Sequence, residues 1–324
     1  MPRRQLSLDA ANSAGLRIQL ASDLHLERYP GFTPQPAPEA DVLVLAGDIG
    51  SYQAGSLLPT ADFGLTRFSP LQPGSPWKRV LFVPGNHEYD GLEHGQTGER
   101  LRALCAELGI TWLDREAVVV DGVRFLGTTL WTDFEALAAG ERTETKRQQA
   151  LHKAFRAANF YLRKNTTLRD GQPLLAEDLR ELAQGCQAWL TQALQQPHDG
   201  PTVVVSHFAP TLHSADPRYG LIPGTAGFCN GLDALLPSVD LWLHGHLHSP
   251  TDHTVRGIAS DGRAWACRIV ANPRGYASKG EQETFIERRV IKLGLTPGPA
   301  TPTPSPQAPA RAPAHAPAHP APPS

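Results

Sequence analysis

Five short apolar runs, each ending abruptly in polar residues, constrain this chain more than any other feature. Residues 16–21 alternate apolar side chains and stop at Ser22-Asp23-Leu24-His25. Residues 41–46 (DVLVLA) end in Gly47-Asp48, and residues 79–83 (RVLFV) end in Pro84-Gly85-Asn86-His87-Glu88. Residues 202–206 (TVVVS) lead into His207, and residues 239–243 (VDLWL) into His244-Gly245-His246-Leu247-His248. Continuous β-rich runs of this length, bounded by turn residues, predict strands buried on both faces. In an α/β sheet the carboxyl ends of such strands line one rim, where ligands bind.

Helical periodicity fills the intervals. Leu101, Leu104, Cys105 and Leu108 follow i, i+3, i+4, i+7 spacing, as do Leu151, Ala154, Phe155 and Ala158. The longest apolar stripe runs from Leu179 to Leu194 and halts near Pro197. Residues 117–120 and 123–126, joined by Asp121-Gly122, predict a hairpin. Residues 265–270 and 284–292 predict late strands, and the helices within 132–196 predict a cap-like insertion beside the rim. The expected organisation is a flexible start (1–15), one α/β domain (16–295) and a tail (296–324).

That tail accounts for an odd composition. Of 30 prolines, 11 fall after Leu295, in a segment made almost wholly of Pro, Ala, Ser and Thr. Such a segment has no apolar face to bury and predicts a disordered, polyproline-like appendage. Charge is balanced, 30 Lys+Arg against 32 Asp+Glu, which argues against a basic track for a nucleic-acid backbone. No apolar stretch approaches the ~20 residues of a membrane span. Cys105, Cys186, Cys229 and Cys267 are scattered without a C-x-x-C pair, as expected of free thiols in a reducing, cytoplasmic setting.

Histidine is the informative surplus. Two imidazoles two residues apart, as in His246 and His248, point to the same side of an extended segment. Asp, Asn and several imidazoles from five loops form a donor set suited to two divalent ions. Its imidazole content favours Mn, Fe, Co, Ni or Zn over Mg or Ca.

The ordered series D-x-H, G-D, G-N-H-E, H, G-H-x-H, spanning Asp23 to His248, resembles the calcineurin-like metallophosphoesterase superfamily. The resemblance implies an α/β/β/α sandwich. It implies that Asp23, His25 and His248 hold one metal, that Asn86, His207 and His246 hold the other, and that Asp48 bridges the two. The implied chemistry is attack on phosphorus by a metal-bridging hydroxide, with Asn86 steadying the nonbridging oxygens and His87 assisting the leaving oxygen. The implied substrate is a small phosphodiester or phosphomonoester. A nuclease and a non-catalytic interaction module on the same fold are the alternatives.

Other residues near these blocks carry two readings each. Glu88 is expected to support a metal-bound histidine or to form a surface ion pair. Arg274, in the turn 272–276, is expected to reach a substrate phosphate or to belong to a tight Asn-Pro-Arg-Gly turn. His244 is expected to pack as a buried imidazole. The phosphoprotein-phosphatase branch carries G-D-x-V-D-R-G, whereas this chain reads GDIGSYQ from Gly47. The phosphate-gripping Arg of that branch is missing, and the sequence is closer to the small bacterial phosphoesterases.

Overall fold

A computed structural model describes residues 15–294; the expected flexible start and Pro/Ala-rich tail fall, but for the edges of the domain, outside the described residues. Thirteen strands are β1 (Arg17–Ala21), β2 (Val42–Ala46), β3 (Val80–Val83), β4 (Thr111–Trp112), β5 (Glu116–Val120), β6 (Val123–Thr128), β7 (Leu168–Arg169), β8 (Gln172–Pro173), β9 (Thr202–Ser206), β10 (Leu241–His244), β11 (Thr251–Ile258), β12 (Ala264–Ala271) and β13 (Val290–Lys292). Three α-helices are α1 (His94–Leu108), α2 (Glu144–Leu162) and α3 (Ala176–Leu194).

The strands form two large sheets, one ordered β13-β1-β2-β3-β4, the other β11-β12-β10-β9-β6-β5. β1 to β4 pair in parallel, as do β6, β9, β10 and β12, while β13, β11 and β5 add antiparallel edges. The sheets stack face to face. Alternate residues of each strand meet between them: Ile18, Leu20, Val42, Val44, Leu81 and Val83 pack on Phe125, Val203, Val205, Leu241 and Leu243. The intervening residues face outward, where Leu101 and Cys105 of α1 and Leu179, Ala183 and Leu190 of α3 join the second cluster with Leu43, Leu45, Phe82, Val204 and Trp242. The central strands are therefore mainly apolar on both faces, and full burial of one such side chain is worth roughly 1.5–3 kcal/mol. This is the α/β/β/α arrangement.

Three elements depart from the sequence reading. The expected strand 284–292 shrinks to Val290–Lys292, because a 3-10 helix ends at Thr284 and a turn follows in which Arg289 N–H bonds to Ile286 O. β11 was not expected, since its sequence TDHTVRGI is polar and half exposed along an edge. The little pair β7–β8 lies between α2 and α3. The hairpin forms as read, with Asp121 and Gly122 both at positive φ, as a two-residue primed turn requires.

Candidate metal centre

The five polar blocks meet where the C-terminal ends of the two sheets adjoin. β1, β2 and β3 of the first sheet deliver Asp23 and His25, Asp48, and Asn86 and His87. β9 and β10 of the second deliver His207, and His246 and His248. Two groups of ligand atoms result, Asp23–His25–Asp48–His248 and Asp48–His207–His246, the atoms of each lying within 4.8 Å of one another. Asp48 belongs to both. Asn86 joins the second group through its Oδ1, 3.2 Å from His207 Nε2.

The backbone is held in a costly shape to achieve this. Asp23, His25, Asp48, His246 and His248 all have φ between 48° and 71°, the left-handed region that non-glycine residues rarely adopt. Such strain costs of order 1–3 kcal/mol per residue and persists where surrounding structure dictates it, chiefly at functional sites. Hydrogen bonds do the dictating: the backbone N–H of His246 donates to both Asp23 oxygens (3.0 and 3.1 Å), and that of His87 donates to Asp48 Oδ1 (2.8 Å). Glycines allow the close approach. A Cβ on Gly85 would fall 2.2 Å from Asp48 Oδ1, and one on Gly245 would fall 2.6 Å from Asp23 Oδ2.

A second layer fixes the imidazoles. His25 Nδ1 donates to Glu27 (3.1 Å), His248 Nδ1 to Glu281 (2.7 Å), and His207 Nδ1 to the carbonyl of Ala46 (2.9 Å). Each outer nitrogen thus carries a proton, and each Nε2 points inward, where its lone pair is available to a metal ion once no proton occupies it. The consequence is specific. His25 Nε2 and His248 Nε2 face one another at 3.0 Å, and His207 Nε2 sits 3.2 Å from His246 Nδ1 and 3.2 Å from Asp48 Oδ2. Ring nitrogens that face one another at that distance share a positive charge, either a proton or a metal ion. This donor set, neutral imidazole plus carboxylate with the outer nitrogens held, fits divalent transition-metal ions.

The buried carboxylates make the centre favour positive charge. Burial pushes His207 and His248 down, but Asp48 and Asp23 respectively outweigh it and lift both to about 9. Burial raises Asp23, yet the hydrogen bond and charge of His248 bring it down to about 2. His87 is drawn up to about 10, against burial, by Asp48 and Asp90. Its Nδ1 lies 2.5 Å from the Asp90 carboxylate and its Nε2 3.8 Å from Asp48 Oδ2.

Glu88 takes neither expected role. It is fully buried, and its two oxygens accept the backbone N–H groups of Asp48, Ile49, Gly50 and Gly85. Arg274 follows β12 with its backbone N–H bonded to Ser22 O, while its guanidinium stacks 4.1 Å from the Tyr29 ring and 4.2 Å from Phe32. It does not line the clefts around the centre. His244 is buried, between Ser214 Oγ and the Gly245 carbonyl. Glu27, Asp90 and Glu281 escaped the sequence reading. The first two sit two and three residues beyond a motif histidine, a signal that was there to use; Glu281 has none.

Two facing sheets with Asp, Asn and His gathered at their shared carboxyl edge define a phosphoesterase-type protein. The chain belongs to the calcineurin-like phosphoesterase family, whose sequence profile matches residues 16–250. Among solved structures, the fold is similar to that of the phosphopantetheinyl hydrolase of Mycobacterium tuberculosis, with 18% identity, a TM-score of 0.59, and coverage of 87% of this chain and 96% of that one. No curated protein matches the chain by sequence. Among the described residues no helix is long and apolar enough to cross a membrane.

Proposed function

We propose that the protein is a binuclear-metal-dependent hydrolase of small phosphodiesters or phosphomonoesters. The observation that carries this reading is the pair of imidazole nitrogens, His25 Nε2 and His248 Nε2, turned toward each other at 3.0 Å with both outer nitrogens donating to carboxylates. Asp23, His25 and His248 would hold one ion, Asn86, His207 and His246 the other, and Asp48 would bridge them. Two divalent ions there (Mn, Fe, Co, Ni or Zn) would supply a hydroxide nucleophile at neutral pH and offset the phosphate's charge.

The chain's own residues do the rest. Asn86 Oδ1 faces His207, which leaves its amide N–H groups to donate to a nonbridging phosphate oxygen. His87, anchored by Asp90, presents Nε2 to the leaving oxygen and gives it a proton. Glu27, Glu281 and the Ala46 carbonyl keep the ligand imidazoles in one tautomer and one orientation. The helices α2 and α3, within the interval 132–196, act as a cap beside this edge. Arg274 contributes through its backbone N–H, which with that of Gly275 holds the carbonyls of Ser22 and Asp23 in place. Four unpaired buried thiols fit residence in the cytoplasm.

The test is a metal analysis paired with a hydrolysis screen. Purified protein is assayed by plasma mass spectrometry, then tested on bis(p-nitrophenyl) phosphate, p-nitrophenyl phosphate, cyclic nucleotides, a phosphopantetheinyl ester and DNA, with each metal added. Bound metal and turnover of small esters are expected. Protein that takes up no metal and leaves every ester intact would sink the reading.

A further inference from the structure

Beside the centre, sharing Asn86 and His246 as its edge, lies a cleft of about 180 Å³, room for one arm of a small molecule rather than for the whole of a drug-sized one. Its wall is apolar, formed by Trp131, Phe134, Phe208 and Phe228, and roofed by Ala158 and Leu162 of α2. Several polar side chains in that wall are engaged elsewhere: Thr132 Oγ1 donates to Ala226 O, Thr166 Oγ1 to Leu174 O, and Asn165 Nδ2 to Asp90. The wall presents mainly aromatic and aliphatic surface rather than the paired donors and acceptors that the edge of a nucleobase needs. The segment that presents the aromatics is strained as the metal loops are, with Leu130, Trp131 and Phe134 at φ 71°, 51° and 63°. At the mouth, Tyr161 and Phe228 stay 69% and 44% exposed, and Tyr219 and Ile222 extend the same apolar rim into the adjoining cleft.

We propose that the phosphoester handled here carries an apolar alkyl or aryl alcohol arm, which lies in this cleft while its phosphate faces Asn86, His87 and His246. The proposal rests on the phosphoesterase reading and names its substrate class. Phe228 and Phe208, whose rings lie 5.0 and 3.9 Å from that of His246, carry the apolar surface up to the reacting group. An arm of a few carbons therefore leaves water as soon as the phosphate is seated.

Binding of methyl-, butyl- and octylphosphonate, with adenosine and thymidine monophosphates for comparison, is measured by calorimetry on the full chain loaded with Mn. Affinity should rise roughly fourfold per methylene until the cleft is full, and octylphosphonate should bind tighter than either nucleotide. Ala158→Phe fills the cleft from its roof and should abolish most of the gain from methyl to octyl. Should that variant misfold, Phe228→Ala at the exposed mouth should shrink the same gain. Equal affinity for methyl- and octylphosphonate, tighter nucleotide binding, or a chain-length gain untouched by a folded Ala158→Phe overturns the proposal. Hydrolysis of esters without any dependence on the arm overturns it alone and leaves the phosphoesterase reading standing. Chain-length-dependent binding with no ester hydrolysed supports the cleft and overturns the phosphoesterase reading instead.

Discussion

Glu88 holds Asp48 by the backbone: its Oε2 accepts the Asp48 N–H at 3.0 Å, while its Oε1 accepts from Ile49 at 2.6 Å. A carboxylate that gathers the amides of two neighbouring loops substitutes for the ladder those residues have left. Glu88→Gln would turn a donor NH2 toward backbone donors. The loss expected is about 1–3 kcal/mol of stability, read from chemical denaturation, together with weaker metal retention. A variant as stable as the parent would show that the amides find other acceptors.

Glu281→Gln and Glu27→Gln test how the imidazoles are oriented. Each removes the carboxylate behind one ligand, and outer partners of this kind are worth roughly 10–100-fold in metal affinity. Calorimetric titration of Mn into each variant should show that loss. Because both carboxylates serve the Asp23–His25–His248 group, the weakened class should be the same one in both proteins. Different classes would contradict the assignment of His25 and His248 to one ion.

Asp48→Ala removes the one carboxylate common to both ligand groups. Metal content should fall below one ion per chain, and hydrolysis should drop by about two to three orders of magnitude or more, the scale on which key electrostatic groups act. Prolonged chelation of the parent protein should reproduce that inactivity, and Mn should restore it. Retention of two ions in the variant would remove Asp48 from the bridging position.

The four cysteines are buried, and burial pushes each thiol up to about 12. A thiol that is neither exposed nor ionised reacts poorly. A disulfide-exchange dye should therefore titrate almost none of them in native protein and all of them in denaturant. Fast reaction of one site in the folded state would single out a locally opening element.

Arg274→Lys separates packing from substrate contact. The planar guanidinium between Tyr29 and Phe32 is worth roughly 0.5–2 kcal/mol as a desolvated cation–π stack, and an ammonium fills that slot poorly. Lower thermal stability with an unchanged KM is the outcome that the geometry favours. A raised KM at unchanged stability would return this side chain to the substrate.

What was legible in the sequence follows from burial. β1, β2, β3, β9 and β10 are covered on both faces, so their positions are mainly apolar, and each run ended where the chain reached the carboxyl edge. β11 was invisible because an edge strand alternates only weakly, and Thr251–Ile258 keeps Asp252, His253 and Arg256 among its residues. The ligand side chains were readable from their order, but the carboxylates behind them were not. Glu281 reaches His248 from a 3-10 turn just ahead of the expected strand, and no local pattern encodes that return. Trp131 and Phe134 carry no local pattern that sets their direction; a left-handed backbone turns them into the wall of the cleft.

The ligand sets straddle the seam between the two sheets, and His25 and His248 stand 223 positions apart in sequence. An ion gripped by both would work as a reversible cross-link that closes a loop of most of the domain. Forbidding that loop's open conformations reduces the entropy of the unfolded chain, as a disulfide does. The metal would then be a fastener as well as a reagent: losing it would slacken the union of the first sheet with the second, and protein starved of ions would meet heat and proteases as a less cooperative molecule.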